Sequence, residues 1–238
     1  FLLTRVINLL LLPLFTDESI YIYWAKVIAS THAQWFISLT DGKPPLLIWM
    51  ISFLLSIFPS DWYLLAGRLP SVAMGLIGCL ATFKTGELLF SKRAGVISAI
   101  LYIMSPMLLF YDRMALFDSS LTAMLITSVY FALRTGKTRK LRDGLLWGFF
   151  LGLAFLSKPT ALVFLPLTVF AAFMTIPFKD TKKQLAKLGA LSLLAIVIAE
   201  IMNNLQRISS AYPAMIRKNQ QFQQPISELL TNPFALTL

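Results

Sequence analysis

Long apolar runs, broken by short polar stretches, set the plan of this chain. The opening run, FLLTRVINLLLLPLF at 1–15, reads as one membrane span cut short, and a polar stretch over 16–45 follows it. The next run, PPLLIWMISFLLSIFP at 44–59, falls short of the roughly 20 residues that cross a bilayer and is bracketed by prolines. That pattern predicts a helix lying along the membrane surface. Runs at 67–90, 94–111 and 119–133, a short pair at 144–157 and 160–177, and a last run at 188–204 predict crossing helices. From 205 onward the chain turns polar and rich in glutamine. The sequence carries no internal repeat or heptad seam, and Gly75 and Gly78 in SVAMGLIGCLA suit close helix packing.

Composition agrees with the pattern. Hydrophobic residues make up 57% of the 238 and charged residues 13%, about half the ~25% usual in soluble domains. Mean hydropathy is +0.73. An all-α polytopic membrane protein is expected, with a single transmembrane domain over 1–238. The first residues, FLLTRVINLL, include no initiator Met and the last, TNPFALTL, fall inside a segment, so part of a longer chain is expected. The single cysteine, Cys79, excludes an intrachain disulfide and a cysteine metal cluster.

Charge then decides the topology. A net charge of +10 gathered into one patch would suit nucleic acid, but here eleven of the 21 Lys and Arg fall in three short loops: SKR at 91–93, RTGKTRKLRD at 134–143 and KDTKKQLAK at 179–187. Basic loops of this kind stay on the cytoplasmic side, and no nucleic-acid partner is expected. If 44–59 remains on the outer surface, all three loops share one side. The first loop over 16–66 with its juxtamembrane helices, the 112–118 loop, the Lys158–Pro159 corner and a later loop beginning at 205–238 then share the external face.

Of the eleven Asp and Glu, Asp17, Glu18, Asp41, Asp61, Asp112 and Asp118 all fall in those external segments. Asp143 and Asp180 flank basic loops, where they solvate. Glu87 can pair with Lys84 three residues away. Glu200, near the outer end of an apolar run, is either functional or satisfied by Asn203 and Asn204. With Lys43 in TDGKPPL and Arg113 in YDRMALFDSS, one face gathers carboxylates and cations at a membrane border. Cations there can hold a departing phosphate, and a carboxylate can take the proton of an attacking hydroxyl. Tyr21, Tyr23, Trp24, Trp35 and Trp49 close by fit a membrane-interface belt or a sugar-stacking role. Lys158 either reaches the site or snorkels. His32, the only histidine, receives no role.

The stretches TDES.YIYWA at 16–25, DGKPPLLIWM at 41–50, AGRLPSVAMG at 66–75, DRMALFDSSL at 112–121 and GLAFLSKP at 152–159 follow one another in order. That order resembles the GT-C glycosyltransferases, in particular the dolichyl-phosphate-mannose protein mannosyltransferase and aminoarabinose transferase group, glycosyltransferase family 39/83-like. The resemblance implies a GT-C transmembrane helix bundle with external juxtamembrane helices. It implies Asp17 as general base with Glu18 its neighbour, Asp118 as the second acidic site, and Lys43 and Arg113 as donor-phosphate-binding residues. Arg207, Arg217 and Lys218 are candidates for later phosphate-binding positions. Metal-binding relatives carry Glu before the lysine where this chain has Gly42, so a divalent metal, with Asp41 and Asp118 as candidate ligands, stays an open possibility and no other cofactor is expected. The implied activity is transfer of a sugar from a polyprenyl-phosphate donor to a hydroxyl of a lipid, glycan or protein acceptor, with inversion, on the external face of the cell membrane. A secondary transporter or lipid flippase is the alternative, which would favour charges near the midplane and repeated halves.

Overall fold

A computed structural model of the chain describes residues 1–176 and 182–221. Eleven α-helices and four short 3-10 turns make up the secondary structure of these residues, with no strand among them. Asp180, the start of the third basic loop and the 222–238 part of the last loop lie outside the described residues.

The apolar opening run does not form one helix. Helix α1 (Leu2–Val6) stops at once, and Asn8 adopts a left-handed backbone at φ 54°. The cause is carbonyl capture. Arg113 donates to the carbonyls of Thr4 and Asn8, and Arg68 donates to those of Leu9, Leu12 and Pro13. Charge-assisted bonds of this kind outweigh the helical ladder they replace.

Helix α2 (Thr16–Thr31) starts where Glu18 reaches back to accept the Phe15 backbone N–H at 3.1 Å, and ends at His32 in the left-handed region. Past a 3-10 turn at Ile37–Asp41 and two prolines comes α3 (Leu46–Leu55), a ten-residue helix within the 44–59 run and shorter than a bilayer crossing needs. Leu47, Ile48 and Ile51 on α3 are fully buried and pack with Tyr21, Ala25 and Ile28 of α2 in one apolar cluster.

Helix α4 (Tyr63–Leu89) runs 27 residues, about 40 Å at 1.5 Å per residue. The chain returns through α5 (Lys92–Met104), capped by Ser91, and breaks at Ser105 and Pro106 before the short α6 (Pro106–Tyr111). A proline cannot donate the bond that would continue the expected single span over 94–111. Helices α7 (Phe117–Thr138) and α8 (Leu141–Phe155) form an antiparallel hairpin. A 3-10 turn leads into α9 (Leu165–Met174), and then come α10 (Lys182–Asn204) and α11 (Tyr212–Gln220). On α8, Gly144, Gly148 and Gly152 recur every fourth residue against α10. A Cβ at Gly148 would sit 2.6 Å from the Ala195 carbonyl oxygen, so the two backbones meet as only small residues allow.

Among the described residues two stretches, Ser60–Leu89 and Lys182–Ile208, are long and apolar enough to cross a membrane. The connections give the bundle two unlike ends. At one, the Lys137 ammonium donates to the Leu88 carbonyl, joining the C-termini of α4 and α7 beside the basic residues Lys92, Arg93, Lys140 and Arg142. At the other, the Leu46 N–H donates to the Leu156 carbonyl, joining the start of α3 to the end of α8. Helices α2 and α3, the 112–116 loop and the Ser157–Pro159 corner gather at this second end.

Candidate active site

At that end a pocket of about 200 Å³ opens, below the roughly 300–1,000 Å³ of drug-sized sites. Its charged lining consists of Asp17, Lys43, Asp118 and Lys158. Each arrives on a different element: the first turn of α2, the segment before α3, the first turn of α7, and the corner after α8.

Tyr21 fastens two of them together. One helical turn below Asp17, it donates its hydroxyl to Asp17 Oδ2 at 3.3 Å, while its ring meets Phe117 edge-on at 4.6 Å between centroids. Phe117 precedes Asp118, so one aromatic contact sets α2 against the start of α7. Burial, then the charge and hydrogen bond of Asp17, push the Tyr21 phenol above its ordinary range, so it remains a donor. Asp118 accepts a 2.9 Å bond from the Lys158 ammonium, both side chains being about one-third exposed. Lys158 is held in extended backbone by the proline after it. Lys43 lines the same pocket, and among the described residues its ammonium has no ion-pair partner. The pocket therefore holds two carboxylates, one paired and one open, and two ammoniums, one paired and one open.

The remaining candidate residues lie elsewhere, a fact of geometry that separates positioning from contact. Glu18 is fully buried and turned away from the pocket. Its Oε1 accepts from Arg68 Nε at 2.9 Å and the Ala115 N–H at 2.7 Å, and its Oε2 accepts from Arg68 Nη2 at 2.8 Å and the Phe15 N–H. Arg68 spends its remaining donors on the three carbonyls of 9–13, so all five are used. This node joins α2, α4, the unwound opening segment and the 112–116 loop. A second buried node pairs Arg5 Nε with Asp112 at 3.3 Å, and Asp112 also accepts from Ser119, the neighbour of Asp118. Arg113 is placed outside the pocket lining, its guanidinium committed to backbone carbonyls. Asp41 pairs with Lys218 at 3.0 Å, Arg207 lies over the Tyr212 ring, and Arg217 is exposed on α11.

For a divalent ion, carboxylates would have to converge. Among the described residues no three His, Cys, Asp or Glu side chains do so, and the two candidate ligands, Asp41 and Asp118, each face a lysine. Glu87 and Glu200 meet the partners expected of them, Lys84 at 2.7 Å and Asn203 at 3.2 Å.

Arg68 was the site's least visible contributor in sequence. The available signal was an arginine inside an apolar run, AGRLPSVAMG, which in a membrane helix requires a buried anion. Ser157, also on the pocket wall, carried no signal at all.

No curated protein and no solved structure matches the chain. A family model described as dolichyl-phosphate-mannose-protein mannosyltransferase matches residues 42–202. The chain belongs to that family and is a membrane glycosyltransferase that draws on a lipid-phosphate-linked sugar.

Proposed function

We propose that this member of the dolichyl-phosphate-mannose-protein mannosyltransferase family moves a sugar from a polyprenyl phosphate to an acceptor hydroxyl, with Asp17 as general base and inversion at the anomeric carbon. The observation that carries the reading is the meeting of Asp17, Lys43, Asp118 and Lys158 in one pocket, at the end of the bundle away from the basic loops. Basic loops mark the cytoplasmic side, so the reaction belongs to the external face.

The acceptor oxygen attacks the anomeric carbon as its proton passes to the Asp17 carboxylate. The bond from that carbon to the phosphate oxygen breaks, and its electron pair stays with the lipid phosphate. The unpaired Lys43 ammonium is placed to meet that charge, which a low-dielectric border strengthens. Asp118 holds Lys158 at the pocket wall, where the pair fixes the second ammonium beside the leaving group. Glu18 and Arg68 position Asp17 without touching the reactants.

Transfer from radiolabelled polyprenyl-phosphate sugars, in membranes holding the full-length protein, tests this. Asp17→Asn at matched expression should lower transfer by about 10²–10⁴-fold, the usual contribution of a general base, with donor binding kept. Undiminished transfer by Asp17→Asn removes the assignment. Passage of labelled lipid across the bilayer without any transfer would favour a flippase instead.

A further inference from the structure

The transfer reading leaves the acceptor without a seat, and a second cleft at the same end of the bundle supplies one. We propose that this cleft is an acceptor subsite for a neutral carbohydrate chain, an inference that rests on the transferase reading above. About 460 Å³ in volume, it opens between the segment at 34–40 and the turn at 208–211 that leads into α11. Gln34, Thr40, Ser209 and Ser210 give it polar groups, and Trp35 and Phe36 give it aromatic walls.

Its chemistry contrasts with that of the reaction pocket. None of the described side chains lining the cleft is charged, so a phosphate or a basic peptide finds no counter-ion among them. Peptides are commonly gripped by a strand edge or by an apolar groove. The described residues contain no strand, and this wall mixes amide and hydroxyls with rings. A sugar chain offers the complement, hydroxyls at its edges and flat apolar faces between them, which suit a hydrogen-bonding wall beside an indole.

The indole is also held out for contact. Left-handed backbone at His32 (φ 50°) and Gln34 (φ 57°) shapes the loop. Trp49 Nε1 donates to the Trp35 carbonyl at 2.6 Å, and the Phe36 ring packs edge-on against Trp49. The Trp35 backbone is thereby pinned while the residue stays 47% exposed. Facing it across the cleft are two serines, which a lipid-facing indole would not require. The two walls are tied by the Lys218–Asp41 pair at 3.0 Å and by Asn219, whose amide donates to the Gly42 carbonyl at 3.4 Å. Thr40 lies three residues from Lys43, at most about 11 Å along the chain. A sugar chain in the cleft can therefore present its end hydroxyl to the reaction pocket.

Binding measured without donor separates this inference from the catalytic reading. Purified full-length protein is titrated with maltohexaose, laminarihexaose and α-mannohexaose, and with a serine- and threonine-rich peptide for comparison. At least one hexasaccharide should bind, about tenfold more weakly to Trp35→Ala and to Ser210→Trp, which fills the cleft without touching the reaction pocket. Trp35→Phe and Asp17→Asn should bind it like the wild type. The proposal is overturned if no hexasaccharide binds, if Ser210→Trp binds as tightly as the wild type, or if the peptide alone loses affinity in Ser210→Trp. Transfer by Asp17→Asn together with Trp35-dependent sugar binding would sink the catalytic assignment and leave the cleft standing.

Discussion

Glutamine at position 18 keeps the side chain's volume and removes its charge, which makes Glu18→Gln a direct test of the buried node. Four donors converge on the carboxylate, two from Arg68 and two from backbone N–H groups. Glutamine offers one carbonyl to them and turns an NH₂ toward the rest, leaving the Arg68 charge buried without a counter-ion. Breaking one side of a buried pair costs about 3–5 kcal/mol. At roughly 2–4 °C per kcal/mol for a chain of this size, the apparent Tm should fall by about 6–20 °C. Arg68→Met should fall in the same range. The double variant should lose less than the two together, by up to about 3 kcal/mol, because the pair leaves as a unit. The assay is thermal unfolding in detergent, followed by monodispersity after heating, with Asp17→Asn run alongside as a variant that should melt like the wild type. If Glu18→Gln melts with the wild type yet loses transfer, Glu18 acts on the reacting groups and the positioning argument fails.

Lys158→Met should change stability by no more than about 1 kcal/mol, as a one-third-exposed pair implies, while transfer drops and Lys158→Arg restores part of it; a folding defect in Lys158→Met would contradict this. Tyr21 gives a pH dependence whose sign follows from its raised phenol. Below a pH of about 10 both folded and unfolded phenols are protonated, whereas above it the unfolded chain releases the proton that the folded chain retains, so stability falls as pH rises. Melting curves of wild type and Tyr21→Phe should therefore converge as pH climbs past about 10, and parallel curves would contradict the buried hydrogen bond to Asp17. Gly148→Ala drives a methyl toward the Ala195 backbone and should cost about 1–3 kcal/mol by forcing α8 from α10, read as a lower Tm with donor affinity retained.

Asp17, Lys43 and Asp118 were legible because polar residues at the borders of apolar runs stand out, and their ordered motifs carried a family resemblance. Run length set α3 apart as a short helix, and i,i+3 spacing put Glu87 with Lys84. Border position could not separate Asp17 from Glu18. Adjacent residues on a helix point about 100° apart, and which of the two faces the pocket depends on Arg68, fifty residues away. Arg113 misled for a related reason, since a guanidinium beside an acidic motif reads as a phosphate ligand until its carbonyl partners are seen. The opening run was read as a helix because apolar periodicity carries no record of carbonyls taken by distant arginines. Lys158 was ambiguous in sequence, as stem length alone does not say where a lysine ends.

The anchoring of the Lys43 loop by α11 carries a timing consequence for biosynthesis. Gly42 and Asn219 stand 177 positions apart, so at roughly 5–20 residues per second the ribosome needs about 9–35 s to deliver the anchor after the loop has emerged. By the end of that interval Asp17, Asp118 and Lys158 have all been translated, while the segment that carries Lys43 still lacks its latch. A nascent chain arrested shortly before 218 would carry Asp17, Asp118 and Lys158 with a loosely set Lys43, which makes the last turn of α11 the step that fixes this loop.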